Sequence, residues 1–216
     1  MKFLAIFFFT STLIFSQGEF IYNGNFGLGI NYNYSGNEVF TGSGVSAGIS
    51  IWGKLDLGID YASGKTKIPF YSNDLKSSST LLHIGYNAKL KSRGNLKIML
   101  GYLKTTSDLI FASGIEAEGF ALGLLFNYKI LDAEKFIIMP GMGIIYGFVS
   151  ANSDTRGHPS TIESRNLGLE INLVAQLSNT VKIILTPSLT VDLIGEENTS
   201  TPGIKVGLLF NSIKSE

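Results

Sequence analysis

The chain has 216 residues, 17 basic and 17 acidic, with only 16% charged residues, 25 glycines, no cysteine and a mean hydropathy of +0.24. Soluble domains carry about 25% Asp, Glu, Lys and Arg, so this balance fits a chain with a lipid-facing side. Zero net charge and the lack of a basic run with interleaved aromatics exclude nucleic acid as a partner, and the absence of cysteine excludes disulfides, thiolate metal sites and thiol nucleophiles.

The first residues read as a secretory signal peptide over 1–16: Lys2, an apolar run from Phe3 to Phe9, then a Thr- and Ser-broken stretch ending at Ser16. The run is too short for a spanning helix, although an uncleaved anchor is the alternative. Residues 17–216 then form one domain. Ten segments of period-two alternation follow, at 20–34, 45–52, 55–61, 80–90, 96–103, 120–129, 136–148, 167–177, 181–192 and 204–211. Each has an apolar face, such as Leu28, Ile30, Tyr32 and Tyr34, and a second face rich in Gly, Asn and Ser, such as Gly27, Gly29, Asn31 and Asn33.

Connections alternate in length. Short ones lie near Trp52-Gly53, 91–95, 131–135 and 178–180; longer polar ones lie at 35–43, 62–79, 104–118, 149–165 and 194–203. Short turns at one end and long loops at the other are the layout of an outer-membrane barrel. A secreted sandwich or lipocalin-like barrel also alternates, but its wet face would carry Lys, Glu and Thr. Aromatics sort by height as well. Tyr32, Tyr34, Tyr61, Tyr102, Phe120, Tyr146 and Phe148 fall near the long loops. Tyr86, Phe126, Tyr128, Phe136 and Phe210 fall near the short turns, with Leu, Ile and Val between. Two aromatic girdles around an aliphatic band mark a membrane. The fold class is therefore all-β: an antiparallel up-and-down transmembrane barrel of about ten strands, with eight as the alternative. Pro140 and Pro187, mid-strand, predict bulges or kinks.

The chain resembles the small bacterial outer-membrane β-barrel superfamily, porin-like or of the OmpA membrane-domain type, over everything after Gln17. Its last strand, Lys205 to Ser212, is similar to the C-terminal signal read by the barrel assembly machinery, with Ser212 where a second aromatic is expected. The resemblance implies the bacterial outer membrane as location, reached through the periplasm. It also implies membrane lipid, lipopolysaccharide and the assembly machinery as partners.

The Gly-rich face lines the lumen. A basic ring of Lys54, Lys89, Lys97, Lys129 and Lys182 is expected near the turn end, and a polar cluster of Asp60, His83, Glu170, Asp192 and Lys205 higher up. Between them Met99, Leu125, Ile137, Met139, Val174, Ile184 and Leu209 should form an apolar plug, since a narrow barrel is filled by side chains. Asp60 and His83 fall on adjacent strands at similar height, an arrangement that can orient an imidazole for acid–base work. No nucleophile accompanies them, and packing and charge balance inside a sealed barrel are the preferred explanation. The expected function is a structural or surface-interaction barrel with a plugged lumen and no enzymatic activity, cofactor or metal. A narrow porin-like channel is the alternative, and a lipid-modifying or proteolytic barrel the remoter one.

Overall fold

The structure is a computed structural model and describes residues 26–67, 74–90, 93–107, 115–152, 160–194 and 200–212. The expected signal peptide and the start of the first predicted strand lie outside the described residues. In chain order the strands are β1 (Phe26–Gly36), β2 (Phe40–Ile51), β3 (Leu55–Thr66), β4 (Leu75–Leu90), β5 (Gly94–Ser107), β6 (Ile115–Tyr128), β7 (Leu131–Ala133), β8 (Phe136–Asn152), β9 (Ser160–Gln176), β10 (Val181–Asp192) and β11 (Ser200–Asn211). Neighbours in sequence pair antiparallel, β6 pairs with β8 past the short β7, and β1 pairs with β11. The wall is thus a closed ring of ten strands, with no sheet edge left to solvate or to lipid. The eight-strand alternative is excluded. The plain turn expected at 131–135 instead carries β7, which pairs with Phe136–Ile138, the part of β8 that reaches below the end of β6.

The faces follow the pleat. Ile98 is 57% exposed, whereas its neighbours Lys97 and Met99 are 1% exposed. An exposed Ile beside a buried Lys is the reverse of a soluble sheet and requires an apolar medium outside. The aromatics of both girdles also point outward: Tyr32, Tyr61 and Phe120 at one level, Tyr86, Tyr128 and Phe136 at the other.

Strands run further toward the loop end than the hydrophobic alternation. The stretch 35–43 is no loop but a tight hairpin, in which the Asn37 side chain accepts the backbone N–H groups of Val39 (2.9 Å) and Phe40 (2.8 Å). At the other end Trp52 and Gly53 both take positive φ (54° and 68°), and Lys54 N–H donates to the Ile51 carbonyl at 3.0 Å. Two left-handed residues match the twist of a two-residue hairpin, with Gly53 adopting that conformation free of strain.

The prolines insert no residue. Pro140 and Pro187 sit on one rung, on either side of Ile171, and the register is unchanged across both. Pro187 instead leaves a gap in the β9–β10 ladder between Leu185 and Ser188. Asn172, on the adjoining rung, bridges the weak spot. Its Nδ2 donates to the Met139 carbonyl (3.3 Å) and to Glu170 Oε1 (2.9 Å), and its Oδ1 accepts from Thr186 Oγ1 (2.9 Å). Asn172→Ala should therefore cost about 1–3 kcal/mol, the range for orphaning buried polar partners, read from urea unfolding of the refolded barrel.

Candidate functional site in the barrel lumen

The lumen glycines are seats. A Cβ on Gly58 would lie 2.5 Å from His83 Nε2, one on Gly101 2.6 Å from Leu81 Cδ1, and one on Gly123 2.9 Å from Met99 Cε. Lys97 lies in the same way over Gly85, Asn31 over Gly207, and the Phe40 ring over Gly42 and Gly64. Side chains of one strand thus lie down on the bare backbone of the next. That is why the inner face alternates small and large residues, and how a narrow ring accommodates lysine and phenylalanine together.

Those seats place the charges. Lys97 Nζ lies 3.2 Å from Asp56 Oδ2, with both side chains buried. The same carboxylate oxygen accepts from Asn87 Nδ2 at 2.7 Å, and Asn87 Oδ1 accepts from Asn95 Nδ2 at 3.0 Å. On the opposite part of the ring Lys205 Nζ lies 3.5 Å from Glu170 Oε2. His83 Nε2 lies 3.2 Å from Asp60 Oδ2. These three buried contacts together make up the charged centre of the lumen. At low effective dielectric, a buried charge is tolerated only with such partners.

Four of the five polar residues expected to cluster therefore do meet, as two contacts: Asp60 with His83 and Glu170 with Lys205. Asp192 stands apart at the end of β10, where its Oδ1 accepts the Ile194 N–H at 3.0 Å. The expected basic ring is not uniform. Lys54 and Lys89 are exposed and Lys129 pairs with Asp132 at 2.9 Å, but Lys97 belongs to the charged centre and Lys182 is buried. The sequence reading left Asp56, Asn87 and Asn95 unassigned, although all three lie on the inward phase of their strands.

The apolar residues expected in one plug fall into two clusters. Met99 and Leu125 pack with Leu81, Leu103, Ile145 and Val149, which lie toward the loop end. Met139, Val174, Ile184 and Leu209 form the second, with Ile137 packed against it. Above them all Phe40, 4% exposed, lies inward on its two glycines.

No family model matches the chain, and no curated protein matches it. Among solved structures, the translocator domain of the autotransporter NalP from Neisseria meningitidis is similar with a TM-score of 0.57 at 13% identity, over 87% of this chain and 88% of that one. The β domain of the Bordetella autotransporter Brka is similar with a TM-score of 0.54 at 9% identity, over 86% of this chain and 99% of that one. At such identities the likeness is one of fold. Closed wall, outward aromatic girdles and inward charges agree with it: the chain has the fold of the outer-membrane β-barrels, built here with ten strands in the ring.

Proposed function

We propose that this barrel resides in the bacterial outer membrane with its lumen sealed by its own side chains, and that it serves a structural or surface-interaction role. The observation that carries this reading is the seating of Lys97, His83, Met99, Asn31 and Phe40 on facing glycines, with Lys97 and Lys205 paired to carboxylates. A conduit would keep such groups upright and hydrated. The cavity beneath the loop end, lined by Asn33, Phe40, Gly42 and Gly64 among others, measures about 10 Å³, room for the centre of one water. His83 and Asp60 read as part of the seal rather than as acid–base machinery, because a reacting group needs substrate access and these are 6% and 2% exposed.

The reading is tested by conductance. Refolded protein in planar bilayers should give no steady single-channel steps. Regular steps would overturn it in favour of a narrow channel for small solutes.

A further inference from the structure

The outward face of β3 and β4 carries an unmatched charge. Lys65 on β3 is the direct cross-strand partner of Lys76 on β4, and both are exposed. Like charges directly opposite repel, so such a pair is unfavourable unless an anion joins it. Nearby, and among the described residues, exposed Lys67 adds a third cation without an ion pair, and exposed Asp74 makes no ion pair with Lys76, whereas two other cations of the rim have their acids. Lys104 Nζ lies 3.6 Å from Glu116 Oε2, and Arg165 lies 3.6 Å from Glu163 Oε2 while also standing over the Tyr146 ring. Among the described residues, Lys65 and Lys76 make no ion pair.

Their surroundings suit a phosphate. Ser63 and Ser78 are paired on the next rung, and Ser78 Oγ lies 2.8 Å from Thr106 Oγ1. One rung further down is Tyr61 of the upper girdle, and below it run the exposed Ile59, Leu82 and Leu57. Lys65 lies four positions beyond Tyr61, about 13 Å along the strand and about 10 Å in height at the usual tilt. The order from the loop end is therefore ammonium pair, hydroxyls, aromatic, then an aliphatic track, which matches a phosphorylated headgroup above acyl chains.

We propose that Lys65 and Lys76, with the hydroxyls of Ser63, Ser78 and Thr106, bind a phosphate of lipopolysaccharide on the outer surface of the barrel. This rests on the outer-membrane reading, which places the loop end in the lipopolysaccharide leaflet and so selects that lipid over a phospholipid.

The test uses full-length mature protein refolded in detergent, with binding measured to purified lipopolysaccharide, to dephosphorylated lipopolysaccharide and to phosphatidylglycerol. The wild type should bind the first well above the other two. Lys65→Ala with Lys76→Ala should weaken binding about thirtyfold, the scale of two lysines at an anionic surface. Lys65→Arg with Lys76→Arg should retain it, and Lys104→Ala with Glu116→Ala should change it little. Folding of every variant is checked by the mobility shift between unheated and heated samples on a gel. Unchanged affinity in the folded alanine variant, or equal binding of dephosphorylated lipopolysaccharide, would overturn the site. Equally tight phosphatidylglycerol would overturn the choice of lipid. A wild type that is soluble without detergent and shows no mobility shift would overturn the barrel reading itself, and the site with it.

Discussion

Asp56→Ala should destabilise the barrel by about 3–5 kcal/mol, the cost of stranding a buried charge without its partner. The stranded group is Lys97, whose ammonium lies 3.2 Å from the Asp56 carboxylate with both side chains out of solvent. The same substitution removes the nearer of the two acceptors of Asn87 Nδ2, leaving the Lys54 carbonyl at 3.5 Å, so the chain of amides running to Asn95 is held less firmly. Removing both charges should be far milder. Asp56→Leu combined with Lys97→Met replaces the pair by apolar groups of similar size, and such replacements are commonly neutral. Urea unfolding of the refolded protein in lipid vesicles reads both. A single variant no less stable than the double would mean that water in the lumen already solvates Lys97.

Gly119→Val should be the most damaging glycine substitution in the wall, at or above the 3 kcal/mol end of the usual range for overpacking, about 1–3 kcal/mol. A Cβ there would run into the Phe148 carbonyl oxygen and approach Val149 Cα to 2.8 Å. Both are backbone atoms of β8, held by the β6–β8 ladder in which Gly119 faces Val149. Relief therefore means parting two strands of a closed ring. Gly123→Ala makes the contrast, because its nearest obstacle is the Met99 Cε methyl at 2.9 Å, the far end of a flexible side chain. The gel-shift melting temperature should fall steeply for Gly119→Val and little for Gly123→Ala. Equal losses would sink the distinction between backbone and side-chain obstacles.

The membrane-embedded part of the barrel was legible in the sequence because lipid and lumen differ so sharply in polarity that each strand declares its phase. Ile98 between Lys97 and Met99 is one such declaration. Above the girdle the signal fades while the strands continue. On β3 the outward residues turn from Ile59 and Tyr61 to Ser63 and Lys65, so both faces become polar and the stretch resembles a loop. Backbone hydrogen bonding to β4 nonetheless persists to Thr66. The interior was legible as a face but not as a map. Asp56 went unassigned because its lysine is two strands away, across Gly85 of β4, a relation that spacing along the chain does not encode. Strand stagger also defeated the single apolar layer. Met99 and Met139 lie in different clusters despite similar distances from their turns. Asn172 was invisible for another reason: its value lies in the two prolines on neighbouring strands.

Both lysine–carboxylate pairs of the charged centre skip a strand, Asp56 on β3 to Lys97 on β5 and Glu170 on β9 to Lys205 on β11. This imposes an order on biogenesis. A buried charge left without its partner costs about 3–5 kcal/mol, and neither member of a pair can be matched until the intervening strand is aligned. The smallest unit that carries its charges in neutralised form is therefore three strands, not a hairpin. Insertion should advance in such triplets, β3–β5 and β9–β11, with the β1–β11 seam closing last between finished pieces.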